Sequence, residues 1–184
     1  MPRPDALLTT ARSLIIIMKV VLILAYSGLC VGVVVSIVFH GIVMAKLGAP
    51  GAPPVGAWAI TALLALMAAI LIMAERFLRR LAEIVDSVGE GDPFAPANAP
   101  RLEQMGYLAL AMNFATIPLG MLAGWLANFN SAIKPDAAMF DGLLLAEGGL
   151  GFSIGGLILT LVLFILARVF RHGTAMREEL EGTV

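Results

Sequence analysis

Four apolar runs separated by shorter polar stretches set the pattern of the chain. They cover about residues 20–45, 57–78, 107–127 and 149–167. A helix crosses a bilayer with ~20 mostly apolar residues, because hydrocarbon offers no partner to an unpaired backbone amide. All four runs meet that length. The second extends to Leu78 because Glu75 and Arg76 can snorkel toward the headgroups. Ahead of the first run, Ala6, Leu7, Ala11, Leu14, Ile15 and Met18 share one helical face. This predicts a short interfacial helix over residues 5–18 that bends at Lys19 into the span proper. The run after Lys19 is too long for the apolar core of a cleavable signal peptide. The predicted fold class is therefore all-α: a polytopic membrane protein with four transmembrane helices and helical extensions into the cytoplasm, forming one domain over residues 1–184.

The polar stretches are also patterned. Past the second span, Phe77, Leu78, Leu81, Ile84, Val85 and Val88 keep helical spacing, and Glu75–Arg79 and Arg79–Glu83 are spaced to pair. Gly89 is placed to cap that helix, and Pro93 forbids its continuation. Asn98 suits an N-cap, with Pro100 in the first turn of a helix that runs from Ala99 into the third span. Residues 76–106 thus form a helical hairpin standing proud of the bilayer. Phe94 at its tip either tucks under the turn or is offered to a partner. Arg101 is expected to bond Asp92 or Glu90. The fourth span continues into a tail, residues 168–184, carrying Arg168, Arg171, Arg177, Glu178, Glu179 and Glu181. Either its acidic end meets the basic hairpin or each is a solvated helix end. On the other side, "AKLGAPGAPPVG" is a short turn, and a longer loop holds a short interfacial helix starting near Pro135.

Charge orients the spans. Arg3, Arg12, Arg76, Arg79, Arg80, Arg101, Arg168, Arg171 and Arg177 fall on one side, and only Lys46 and Lys134 on the other. The positive-inside rule places both termini in the cytoplasm. Trp58 and Trp125 then both sit at the outer interface, where indoles settle. The composition, 60% hydrophobic and 14% charged, needs lipid as its solvent, since soluble domains average about 45–50% apolar and 25% charged. A net charge of −1 argues against direct nucleic-acid binding. A single cysteine, Cys30, excludes an intrachain disulfide and cysteine-rich zinc sites. In its apolar run it reads as a small buried hydrophobe. Two distant histidines offer no metal cluster and no nucleophile–base pair, and His40 has no carboxylate near it in sequence. The glycines of "GGLGFSIGG" open a span and follow no strand, so they do not make a phosphate loop. No catalytic residue, metal or cofactor is expected.

Within lipid, helices associate by close packing through small residues. Gly28 and Gly32, Ala65 and Ala69, Gly120 and Gly124, and Gly151 and Gly155 are each four apart. They serve packing within the chain or a homo-oligomer seam. Asn113, Thr116 and Pro118 put polarity and a helix irregularity into the third span. They define either a small polar pocket shared with Tyr26 and Ser27 or an interhelical hydrogen bond that fixes register.

The segments "IVDSVGEGDPFAPANAPRLEQMGY" and "LFILARVFRHGTAMREELEGTV" resemble an uncharacterised bacterial four-span membrane-protein family, domain of unknown function number twenty-nine seventy-five, which includes YoaS-like proteins. The likeness extends over nearly the whole chain. It places Gly91, Asp92, Pro93, Phe94, Asn98, Arg101 and Leu102 in the family's inner loop and brings no activity with it. Members are often encoded beside a small helix-turn-helix regulator. By association this implies a bacterial inner-membrane partner or sensor for a cytoplasmic DNA-binding regulator. Asp92, Pro93, Phe94, Asn98, Arg101, Arg168 and Arg171 would dock it. The alternatives are a small homo-oligomeric transporter or channel, with its path past Asn113, Tyr26 and Pro118, and a lipid-interacting scaffold.

Overall fold

The computed structural model describes residues 6–39, 42, 55–131 and 153–181. His40, Lys46, Lys134, Gly151 and the interfacial helix expected near Pro135 lie outside them. Four helices make up the described chain: α1 (Ala6–Val38), α2 (Val55–Gly89), α3 (Asn98–Ser131) and α4 (Ile154–Glu181). No strand occurs among the described residues. Each helix is long and apolar enough to cross a membrane. The chain is all-α, with helices that outrun the hydrocarbon. The 35 residues of α2 reach about 50 Å at ~1.5 Å per residue. Against ~30 Å of hydrocarbon, roughly 20 Å stands outside.

The bend expected at Lys19 is absent. Helix α1 runs unbroken from Ala6 to Val38, because no proline and no glycine lies between Ala6 and Ser27 and lysine is itself a good helix former. Phe39 N donates to Val35 O at 2.8 Å to close its last turn, and the remainder of the expected first span, to residue 45, lies almost wholly outside the described residues. Pro118 is accommodated inside α3 without ending it.

By internal contacts the chain divides into two compact units. The second, Leu24–Ile72 with Asn113–Ser153, holds no charged side chain among its described residues. Several of its polar groups are paired internally, as lipid demands. Ser36 and Thr61 hydroxyls share a 2.6 Å hydrogen bond, near where Leu64 Cδ1 would lie 3.6 Å from a Cβ on Gly32. Asn113 is 6% exposed. Its Nδ2 donates to Ser153 O and its Oδ1 accepts from Ser153 N, both at 2.9 Å. One amide side chain thus satisfies both groups of the residue just ahead of α4. Cys30 is exposed rather than buried, because α1 turns most of its surface outward. Trp58 and Trp125 are exposed as well.

The first unit is Met1–Ile23, Met73–Met112 and Ile154–Val184. Every charged residue among those described belongs to it. Its core joins Leu102, Met105 and Ala109 of α3 to Leu163 and Ala167 of α4, flanked by Phe77, Leu81, Ile84 and Phe170. Helix α3 approaches α4 closely at Gly106, where an added Cβ would stand 2.8 Å from Phe164 Cε1. The ring of Phe164 also meets Tyr107 edge-on, at 5.1 Å between centroids.

Candidate functional site

The polar end of this unit is assembled around the turn between α2 and α3. Helix α2 closes with Gly91 N donating to Val88 O and Asp92 N to Ser87 O, both at 3.1 Å. This is a Schellman closure, which needs a left-handed residue next to last. Gly91 supplies it at φ +84°, so the capping glycine is Gly91 rather than Gly89. Two further turns, Ala95 N to Asp92 O and Asn98 N to Ala95 O, bring the chain to α3. The first helical bond of α3, Arg101 N to Ala97 O, makes Ala97 the N-cap. The side chain of Asn98 is thereby released for another task.

That task is to hold the turn together. Asn98 is fully buried. Its Nδ2 donates to Ser87 Oγ at 2.7 Å and to Pro93 O at 3.0 Å, and its Oδ1 accepts from Arg101 Nη1 at 3.0 Å. Ser87 passes its own hydroxyl proton to Ile84 O. Arg101 does not reach Asp92 or Glu90. Its Nε donates to Glu83 Oε2 at 3.0 Å, an oxygen shared with Arg80 Nη1 at 2.9 Å. The spacing-predicted pair Glu75–Arg79 forms at 2.8 Å.

The end of α4 lies on this turn, and two of its arginines meet carboxylates of the hairpin. Arg177 Nη1 donates to Asp92 Oδ1 at 2.6 Å, and Arg171 Nη2 to Glu103 Oε2 at 2.7 Å. Phe94 tucks against α4. Its ring lies 5.4 Å from that of Phe170 and fills the space where a Cβ on Gly173 would come within 2.9 Å. Thr174 Oγ1 donates to Phe94 O at 3.1 Å. Helix α1 joins the same end through Arg12, whose Nε donates to Asp86 Oδ1 at 2.9 Å. The start of α1, the α2–α3 turn and the end of α4 therefore share one polar platform.

Of the residues expected to dock a partner, Asp92, Pro93, Phe94, Asn98, Arg101 and Arg171 all make contacts within the chain, while Arg168 is exposed. Pro93 contributes its carbonyl. Phe94 keeps 42% of its surface exposed, beside Val88 at 38% and Met176 at 60% on the same unit. The sequence reading gave Glu83 to Arg79 and did not foresee its bonds to Arg80 and Arg101, and it did not place Ser87, Gly106 or Gly173 in the site. The last two carried a signal, a glycine interrupting a helical pattern. Among the expected packing residues, Gly32 faces Leu64, whereas Gly28 and Gly124 face open space and Gly155, Ala65 and Ala69 are exposed. Gly120 is half-buried. Thr116 bonds back to Asn113 O within α3, and Tyr26 is half-buried on α1.

Long apolar helices, an uncharged unit and a charged platform define a polytopic α-helical membrane protein. The family model described as "Protein of unknown function (DUF2975)" matches residues 57–184, and the chain belongs to that family. The match takes in α2, α3 and α4 and leaves α1 outside it. No curated protein and no solved structure matches the chain.

Proposed function

We propose that the protein is a non-catalytic component of the bacterial inner membrane, with both termini cytoplasmic, whose polar platform docks a cytoplasmic helix-turn-helix regulator. One observation carries this reading. Three separate stretches of chain are tied into a single water-facing surface by the ion pairs Arg12–Asp86, Glu103–Arg171 and Asp92–Arg177. That surface leaves Val88, Phe94 and Met176 exposed. A preformed surface with accessible apolar side chains loses little ordering entropy on binding. The excess of arginine at this end favours the cytoplasmic side. Within the membrane, Ser36, Thr61, Asn113 and Thr160 are each occupied by a hydrogen bond, which gives a solute path no support.

The test is co-purification of the full chain with a candidate helix-turn-helix regulator from its own genome. Phe94→Asp with Met176→Asp should reduce the regulator's binding at least about tenfold, the worth of ~1.4 kcal/mol, while Trp58→Ala should leave it unchanged. Binding retained by the double variant overturns the docking surface. Orientation is read separately. In a Cys30→Ala background, a cysteine at Gln104 should resist an impermeant thiol reagent added to intact cells, and labelling there would reverse the topology.

A further inference from the structure

The α1–α2 face of the charged unit holds a cleft of about 170 Å³ lined by Arg12, Ile15, Ile16, Lys19, Ala82, Val85 and Asp86. We infer that this cleft holds the phosphate of an anionic phospholipid, with Lys19 as its cation and the isoleucine face of α1 against its acyl chain. Three observations converge on an amphiphile with a negative head.

The first is the state of Lys19. It lies in "LIIIMKVVLIL", with five apolar residues on either side. A cation in such a run is costly unless an anion meets it. Among the described residues Lys19 forms no ion pair. The one carboxylate lining the cleft is Asp86, and its Oδ1 is taken by both Nε and Nη2 of Arg12. No described carboxylate pairs with Lys19, and an anionic headgroup supplies the missing charge. The second is the balance of the cleft itself: two cations, one anion and four apolar walls, which suits one negative charge carried on an apolar body. The third is the rim. Leu14, Ile16, Ile17 and Met18 are all exposed, two to six residues from Arg12 toward the span, about 3–9 Å along α1. Asp86 lies eleven residues beyond Glu75, the first charge of α2, so roughly 16 Å beyond the uncharged part of that helix. Bare isoleucines there need apolar cover, and an acyl chain lying along α1 provides it. A free phosphate ion would satisfy Lys19 and leave the rim uncovered, which commits the site to a lipid.

The experiment uses the full chain purified in a zwitterionic detergent. Retained phosphatidylglycerol and phosphatidylcholine are counted by native mass spectrometry over a titration of each. The wild type should retain one phosphatidylglycerol in preference to phosphatidylcholine. Lys19→Gln should weaken that retention about tenfold, and Lys19→Arg should restore it. Val85→Phe, which fills the cleft without touching a charge, should also weaken it. Removing Lys19 relieves a charge in an apolar helix, so the fold survives that variant. Arg76→Gln separates a site from diffuse attraction, in which any surface cation is worth about fivefold. It should change retention less than twofold. Equal losses in Lys19→Gln and Arg76→Gln, unchanged retention in Lys19→Gln, or displacement of the lipid by inorganic phosphate at matched concentration would each overturn the assignment.

Discussion

Asn98→Ala tests whether the turn is held by one buried amide. The side chain makes three hydrogen bonds, to Ser87 Oγ, Pro93 O and Arg101 Nη1, and none of its surface is exposed. A net ~1 kcal/mol per bond gives ~3 kcal/mol, and more where the abandoned partner stays buried. Against this, alanine is the better helix former by about 0.5 kcal/mol. Arg101 also keeps Glu83, so its charge is not stranded. The balance is a loss of about 2–3 kcal/mol confined to the turn. The assay is amide hydrogen exchange on the full chain in lipid nanodiscs, following residues 87–101. A loss of 2 kcal/mol accelerates exchange roughly 30-fold. The α3–α4 core around Met105 and Leu163 should be unaffected. Ser87→Ala, which removes fewer bonds, should fall between wild type and Asn98→Ala. Exchange in Asn98→Ala within about threefold of wild type would refute the hub, since it would mean that water replaces all three bonds at no cost.

Gly106→Ala places a Cβ against the Phe164 ring, with contacts of 2.8, 3.0 and 3.1 Å. It should destabilise the full chain by about 1–3 kcal/mol, and Phe164→Leu in the same chain should recover most of that. Additive losses in a thermal-unfolding cycle would show that the ring is not the obstacle. The ion pair Asp92–Arg177 is half-exposed on both sides, 42% and 51%, so its coupling in a double-alanine cycle should be below about 1 kcal/mol and should fall in 1 M salt. A salt-insensitive coupling of several kcal/mol would contradict the exposure.

The membrane architecture was legible because it rests on composition and run length, which tertiary context does not override. The hairpin was legible for a similar reason, since Pro93 and the Gly-rich turn permit no helix. Details that depend on distant partners were not. Asn98 has the residue type and position of an N-cap, but local spacing cannot reveal Ser87 eleven residues back, whose hydroxyl claims the amide. The α4–hairpin contact was legible only as charge averaged over segments, which does not reveal that Arg171 and Arg177 of α4 reach Glu103 and Asp92. Small residues four apart were read as packing motifs. Gly32 does face Leu64, but among the described residues a lone glycine also faces an aromatic ring twice, Gly106 under Phe164 and Gly173 under Phe94, which a search for paired small residues passes over.

The same contacts limit how a partner can use the platform. Asp92 and the inner face of Phe94 are occupied by Arg177, Thr174 and Gly173, so docking through those atoms must first release the end of α4. The release is cheap. An exposed ion pair and one hydroxyl–carbonyl bond together hold about 1–2 kcal/mol, or roughly 5–30-fold in an equilibrium. Arg177→Ala with Thr174→Val keeps Met176 and the Phe94–Phe170 contact and loses only that clasp. If the regulator reads Asp92 and Phe94, it should bind this double variant tighter by up to the same factor, measured by titration in nanodiscs. Affinity unchanged by the two substitutions would rule out those atoms as the contact.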